Sequence, residues 1–176
     1  MTINADFSKI ENYDSCKEYP VRTEDWPANP RTSPLKWELL TPNFPHNTFA
    51  RKSLPVRLEN VWLSADQKSL LGSVSVINLA FQKCVICRYT LDYWKTTSEV
   101  MAEYSHEMRP RETPFDHDCF IFSIKLSDIA NLESNPLFFC VCYSVNGDEF
   151  WDNNATTNFQ VDFVRKPSAP NDKNGF

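Results

Sequence analysis

The sequence has only three glycines among its 176 residues, Gly72, Gly147 and Gly175. This scarcity excludes Gly-rich phosphate loops, because the GxGxxG and Walker A patterns both need clustered glycines. Positive charge is also in deficit, since 18 Lys and Arg stand against 23 Asp and Glu. An acidic chain is a poor candidate for binding nucleic acid or an anionic membrane surface, both of which attract clustered cations. A neutral ligand or a protein partner fits this composition better.

Long apolar runs are missing as well, and no basic segment followed by an apolar one begins the chain. We therefore expect a soluble, cytoplasmic protein. Six cysteines are present, and Cys84 and Cys87 form a CxxC pair. No second CxxC or paired His follows at the spacing of a zinc site, and a strand directs residues three apart to opposite faces. Buried, reduced thiols are favoured, and no metal or other cofactor is expected.

Proline is concentrated at the N-terminus, where residues 1–55 hold seven of the twelve prolines. Because proline lacks an N–H and interrupts helices and strand ladders, residues 1–54 are predicted to form a largely irregular extension. The extension nevertheless contains Trp37 and Phe44 among several aromatic residues, which a disordered linker would not. We expect part of it to lie against the surface of the following domain.

From Val56 onward, short β-branched and aromatic runs alternate with polar residues, as strands do. The predicted strands cover 56–63, 70–79, 84–93, 120–126, 137–145, 149–152 and 159–164. A tight hairpin turn is predicted at Asn146-Gly147 or Gly147-Asp148, because Asn and Gly tolerate positive φ.

About seven strands without convincing helices predict an all-β fold, an immunoglobulin-like antiparallel β-sandwich over residues 55–165. Residues 99–118 are expected to form a long loop between the sheets, and 127–131 a single helical turn. The polar segment 166–176 is predicted to be a flexible tail.

Few residues suggest catalysis. The histidines His46, His106 and His117 have no evident nucleophile beside them in the sequence. Asp116-His117-Asp118 could bind a metal, although a charged turn before a strand is the favoured interpretation. Paired carboxylates for glycoside hydrolysis stay open, because such pairs meet only in the fold. We expect a non-catalytic binding module.

A sugar site needs an exposed aromatic ring beside amides or carboxylates, because a pyranose has an apolar C–H face and a rim of hydroxyls. Trp151 is followed by Asp152, Asn153 and Asn154, and Asn158 lies four residues further on. The alternative is that these polar side chains only build a turn while Trp151 fills the core. The chemistry alone supports both interpretations equally.

Two further patches allow the same two interpretations. Trp94 and Lys95 end the segment that follows a predicted strand, where the Trp is either an exposed edge residue or part of the core. Phe81 lies in a loop between strands, where it is either a plug or an exposed stacking face.

Taken in order, these segments resemble the family-21 carbohydrate-binding modules, above all those of the glycogen-targeting regulatory subunits of protein phosphatase 1. The resemblance is carried by VRLEN at 56–60, GSVSVINLAFQK at 72–83, RYTLDYWK at 88–95, FFCVCY at 138–143, and WDNN at 151–154 followed by NF at 158–159. It implies an immunoglobulin-like sandwich that binds glycogen or another α-1,4-glucan, with a main site and a second site. The implied carbohydrate-binding residues are Trp94, Trp151, Asp152, Asn153, Asn154, Asn158, Lys95, Tyr143, Phe81 and Lys83.

The resemblance also implies two protein partners, the catalytic subunit of protein phosphatase 1 and glycogen synthase. The basic–Val–x–Phe docking peptide of such subunits is not found, so we expect the phosphatase to dock outside this chain. Phe159 stands where the family has Tyr, and a Gly common in the family is missing around 155–157. The expected role is a cytoplasmic, glycogen-associated targeting module. The alternative is a protein-interaction module that docks a phosphatase client with little sugar binding.

Overall fold

The computed structural model describes residues 35–106 and 116–167, which belong to one compact unit. In chain order the elements are β1 (Leu35–Leu40), α1 (Phe49–Lys52), β2 (Val56–Leu63), β3 (Ser69–Ile77), β4 (Cys84–Thr90), β5 (Ser98–Met101), β6 (Glu103–Tyr104), β7 (His117–Lys125), a 3-10 turn (Leu132–Ser134), β8 (Leu137–Val145), β9 (Asp148–Asp152) and β10 (Phe159–Pro167).

The strands form two antiparallel sheets. The smaller sheet has the order β2-β3-β7-β6, and the larger has the order β1-β10-β8-β4-β5 with β9 also paired to β8. Strands β9 and β10 share one edge of β8: β9 pairs with Val141–Val145, and β10 pairs with Leu137–Phe139. The loop that joins β9 to β10 therefore leaves the sheet beside the middle of β8.

The core lies between the two sheets and follows the alternation of the sequence. On β8 the odd-numbered residues point inward and are buried: Leu137, Phe139, Val141, Tyr143 and Val145. Phe122 of β7 meets Phe139 edge to face, with the ring centroids 5.7 Å apart. Because both sheets contribute to one apolar cluster, the predicted antiparallel β-sandwich is confirmed.

Several predicted elements agree with the structure. Strands β2 and β8 have the predicted bounds. The β8–β9 hairpin turns at Asn146 and Gly147, whose φ angles are 53° and 86°, as a two-residue turn with positive φ at both central positions requires. The 3-10 turn, by contrast, starts just after the predicted helical turn at 127–131.

Three short strands and one helix were not predicted. β1 lies within the stretch assigned to the irregular extension, where it pairs with β10 along its whole length. β5 and β6 include residues assigned to the loop 99–118, and α1 has only four residues. The three strands are short edge strands, and β1 gains its ladder bonds from a partner distant in sequence, so local patterning does not reveal them.

Part of the N-terminal extension lies against the domain, as the sequence predicted. Trp37, Leu39 and Phe44 are half-buried and pack against the core. Residues 1–34 and 168–176, which include most of the predicted extension and tail, lie outside the described residues, and Lys166 and Pro167 end β10.

Candidate functional site

The outer face of the larger sheet carries an exposed aromatic ring. Trp151 of β9 is 39% exposed and pairs with Cys142 of β8. The guanidinium of Arg88, on β4, lies 4.8 Å from the centroid of the Trp151 ring. Arg88 also forms a 2.7 Å ion pair with Glu99 on β5. Trp151, Arg88 and Glu99, named here the outer platform, combine an apolar ring with polar groups on three strands.

Beside the outer platform lies the β9–β10 loop, residues 153–158. It closes on itself: the Asn158 N–H donates to the Asn153 carbonyl at 2.7 Å, and the Thr156 N–H donates to Asn153 Oδ1 at 3.0 Å. Asn153 Nδ2 and the side-chain amide of Asn158 have no hydrogen-bond partner within the described part of the chain. The loop therefore uses one Asn oxygen to build the turn and leaves amide groups for a ligand.

The backbone of this loop is strained. Four of its residues have positive φ: Asn154 at 51°, Ala155 at 52°, Thr156 at 74° and Asn158 at 61°. Asn tolerates this region, whereas a β-branched residue such as Thr does so at a cost. The Gly that the family resemblance leads one to expect here would relieve that cost.

Replacing Thr156 by Gly should stabilise the protein by about 1 kcal/mol, because a strained left-handed residue becomes an unstrained one. Urea unfolding monitored by circular dichroism measures the change. Thr97→Gly is the matched control, because Thr97 is an exposed loop residue without positive φ and should lose stability. Equal effects of the two substitutions would contradict the assignment of strain to Thr156.

Asp152 has a structural role and is only 3% exposed. Its carboxylate accepts two hydrogen bonds from the Arg51 guanidinium at 2.7 and 3.3 Å. It also accepts the backbone N–H of Leu58 at 2.9 Å and that of Asn154 at 3.3 Å. With these bonds made, Asp152 shapes the start of the loop and has no oxygen facing a ligand.

The β4–β5 loop carries Trp94 and Lys95 next to the other end of the outer face. Asp92 organises this loop by accepting hydrogen bonds from the Thr90 hydroxyl and from the N–H and hydroxyl of Thr96. These bonds, led by those from Thr96, lower the pKa of Asp92 to about 2. Trp94 has a φ of 66° and is half-buried, and Lys95 is exposed.

Tyr93, which belongs to the same predicted patch as Trp94 and Lys95, links this loop to the sheet. It is 65% exposed, and its ring lies 5.4 Å from that of Phe138 on β8. Phe138 and Cys142, the residue opposite Trp151, are four positions apart on the outer face of β8, which corresponds to about 13 Å. Two aromatic patches thus share one face of the larger sheet.

Phe81 lies on a separate surface. It is 98% exposed in the β3–β4 loop, at the end of β4 opposite the Trp94 loop, so about 20 Å of strand separates them. Its neighbours form an open groove lined by Asn78, Leu79, Tyr104, His106 and Phe120. Lys83 borders this groove, but its ammonium is held in a 2.7 Å ion pair by Asp118 and its side chain is 6% exposed.

Tyr143 belongs to the core, although the resemblance implied a role in sugar binding. It is fully buried, and its hydroxyl donates to the Ile77 carbonyl at 2.8 Å. The alternation of β8 places odd-numbered residues inward, so Tyr143 has no surface to offer a ligand. Tyr143, Lys83 and Asp152 are therefore assigned structural roles, while Trp151, Asn153 and Asn158 are brought together.

Arg88 and Glu99 were missed as site candidates. No local signal distinguishes them, because they reach Trp151 only when β4, β5 and β9 assemble around β8. Arg88 lies on a predicted strand, whereas Glu99 fell in the predicted loop 99–118, so their pairing was not visible from the strand pattern.

Asp116 and Asp118, the carboxylates of the alternative metal site, have other partners in the structure. Asp116 accepts a hydrogen bond from Asn78 at 2.9 Å, and Asp118 pairs with Lys83. Among residues 35–106 and 116–167 no group of three or more His, Cys, Asp or Glu is arranged to hold a metal ion. Cys84 is half-buried and Cys87 is buried, and burial raises the pKa of the Cys87 thiol well above its ordinary value. In the same residues, no helix has the length and apolar character to span a membrane.

Comparison with known proteins gives one consistent family. The model of the family-21 carbohydrate/starch-binding module matches residues 50–162. Protein phosphatase 1 regulatory subunit 3B-B of Xenopus laevis is 39% identical over 111 residues, 62% of this chain and 38% of that protein. Protein phosphatase 1 regulatory subunit 3C of Rattus norvegicus is 36% identical over 115 residues, 65% of this chain and 34% of that protein. The chain thus covers less than two fifths of the length of these relatives.

A solved structure shares the fold. The solution structure of the carbohydrate binding module of the muscle glycogen-targeting subunit of Protein Phosphatase-1 superposes with a TM-score of 0.59. Its sequence is 25% identical to this chain, and the match covers 74% of this chain and 95% of that one. The immunoglobulin-like sandwich expected from the resemblance is confirmed.

Proposed function

Because the chain belongs to the family-21 carbohydrate/starch-binding modules, we propose that it binds an α-glucan such as glycogen on the outer face of its larger sheet. One observation carries the proposal. Trp151 is exposed next to a loop in which Asn153 Nδ2 and the Asn158 side-chain amide have no hydrogen-bond partner within the described residues. An apolar ring bordered by unengaged amides is the combination that a pyranose requires.

The geometry suggests how a glucan would be held. A glucose ring stacks its C–H face on Trp151, and its hydroxyls bond to the amides of the β9–β10 loop. Arg88 restrains the Trp151 ring by its cation–π contact, so less side-chain entropy is lost on binding. Trp94 and Lys95, with Tyr93, extend the contact toward the other end of the face.

Single-site affinity is expected to be weak. Stacking of a base on an aromatic side chain is worth about 1–3 kcal/mol, and a sugar ring should gain no more. A branched polymer compensates because it offers many copies of the ligand, and a second contact at Phe81 would then act at high effective concentration. The position of Phe81 at the opposite end of β4 supports such a separate contact.

The relatives extend the proposal to a targeting role. They are named as regulatory subunits of protein phosphatase 1, so we infer that this non-catalytic module brings that phosphatase to glycogen. Glycogen synthase is the proposed client, and the protein would be glycogen-associated in the cytoplasm. Co-precipitation of the phosphatase catalytic subunit on glycogen, with and without the full-length protein, tests this role.

Replacing Trp151 by Ala should weaken binding to maltoheptaose by about five- to 150-fold, the consequence of losing about 1–3 kcal/mol of stacking. Isothermal titration measures the affinity, and circular dichroism verifies the fold. Phe81→Ala is the comparison variant, since it removes an exposed ring from the proposed second contact. It should leave oligosaccharide binding at the Trp151 site unchanged and reduce co-sedimentation with glycogen.

A folded Trp151→Ala variant with unchanged affinity would overturn the assignment of the outer platform, and the Trp94→Ala variant tests the neighbouring loop in the same way. If the unaltered chain bound glycogen synthase in glucan-free buffer but no oligosaccharide, the protein-interaction alternative would replace the sugar-binding proposal.

A further inference from the structure

Asn43, in the segment between β1 and α1, contacts the β9–β10 loop and the start of β10 through three hydrogen bonds. Its Nδ2 donates to the Asn158 carbonyl at 2.8 Å. Its Oδ1 accepts the N–H of Gln160 at 2.9 Å, and its carbonyl accepts Nδ2 of Asn154 at 2.8 Å. One residue thus holds Asn154 near the start of the loop, Asn158 at its end and the strand that follows.

From these contacts we propose that Asn43 is a positioning residue for the glucan site, an inference that rests on the function proposed above. Asn43 lies outside residues 50–162, the stretch that the family model covers. The working site accordingly needs a segment that precedes the family-matched region.

The loop needs a positioning residue because of its backbone conformation. Its positive φ angles are unfavourable for residues other than Gly, so the loop relaxes unless surrounding bonds hold it. Asp152 holds the start of the loop through Arg51, and Asn43 holds its end. Without Asn43, the backbone at Asn158 would no longer be held, and the side-chain amide that it carries would lose its fixed position.

Asn43 is itself held in place by its neighbours. Phe44 packs against Phe159 with the ring centroids 6.0 Å apart, and β1 joins the sheet immediately before this segment. The Asn43 side chain uses one N–H of Nδ2 and its Oδ1 to bond the loop and the start of β10, so its role is to hold the loop. Its effect on binding is expected to pass through the loop, and by linkage a bound glucan should in turn strengthen the Asn43 contacts.

The test compares Asn43→Ala with the unaltered chain by hydrogen exchange and by titration with maltoheptaose. Loss of one hydrogen bond should speed exchange of the Gln160 amide by about tenfold and weaken oligosaccharide binding by about three- to tenfold. Asn43→Asp keeps an acceptor for Gln160 but no donor for Asn158, so it should restore protection of Gln160 without restoring affinity. Asn135→Ala, which removes an exposed Asn bond to Asn131 elsewhere, should change neither quantity.

The outcomes separate the two proposals. If the unaltered chain does not bind maltoheptaose, the proposed function fails and this inference fails with it. If the unaltered chain binds maltoheptaose and both Asn43 variants bind it as tightly as the unaltered chain does, only the positioning role is overturned. This holds even where the Gln160 amide exchanges faster. If Asn43→Ala is too unstable to titrate, Asn43→Asp decides: reduced affinity supports the role, and unchanged affinity overturns it.

Discussion

Replacing Arg51 by Met should lower the free energy of unfolding by about 3–5 kcal/mol, because it leaves the buried Asp152 carboxylate without its counter-ion. The side chains of Arg51 and Asp152 are only 14% and 3% exposed. Water therefore replaces the lost guanidinium poorly. Two backbone N–H groups, from Leu58 and Asn154, remain bonded to the carboxylate and should place the effect toward the lower end of that range.

Urea unfolding measures this effect, and the chain offers a matched control. Lys52 is the next cation on α1 and forms no ion pair within the described residues, so Lys52→Met should change stability by less than about 0.5 kcal/mol. The double variant Arg51→Met with Asp152→Asn should be more stable than the sum of the single effects, because no unpaired charge remains buried.

Simple additivity in that cycle would show that Arg51 and Asp152 do not interact, contrary to the structure. The single variant Arg51→Met should also weaken glucan binding, because Asp152 anchors the start of the β9–β10 loop. A stable Arg51→Met protein would mean that the carboxylate is satisfied without the guanidinium.

Replacing Gly72 by Ala should cost about 1–3 kcal/mol of stability, the usual cost of overpacking a core, and the upper end is expected here. A Cβ at this position would lie 2.1 Å from Phe122 Cζ and 2.3 Å from Phe122 Cε1. Phe122 is fully buried and packs edge to face on Phe139, so its ring has no free space into which to move.

The control uses the same substitution where space is free. Gly147→Ala meets nothing within 4 Å, so its cost comes only from the positive φ of 86°. Each substitution is also combined with Phe122→Leu. The unfolding free energies of these double variants separate steric overlap with Phe122 from the cost of a positive φ. The smaller side chain should relieve Gly72→Ala and leave the effect of Gly147→Ala unchanged. Equal behaviour of the two glycines would contradict the steric explanation.

Much of the sandwich could be predicted because its strands are locally patterned. On β8 every inward residue is large and apolar or aromatic, whereas three of the four outward residues are Cys or Ser, so this alternation indicates both the strand and its inward face. The same parity would have placed Tyr143 in the core before the fold was known. The family resemblance made Tyr143 a candidate, and the strand pattern was the better guide.

The site could be predicted only in part, because the roles of polar residues depend on their partners. The sequence Trp151-Asp152-Asn153-Asn154 is compatible both with a turn and with a ligand surface, and the structure contains both. Asp152 and Asn154 hold the loop, while Trp151 and part of Asn153 face outward. The division follows from Arg51 and Asn43, which approach from another part of the chain.

By itself, the sequence determined the all-β fold, a tight hairpin turn within residues 146–148 and the location of an aromatic–Asn element that begins at the end of β9. Only the tertiary structure decided that β1 joins the larger sheet, that Arg88 contacts the Trp151 ring, and that Phe81 lies at the end of β4 opposite the Trp94 loop. The physical reason is distance along the chain. Alternation and turn chemistry act between neighbouring residues, whereas a binding surface arises from side chains that only strand pairing brings together.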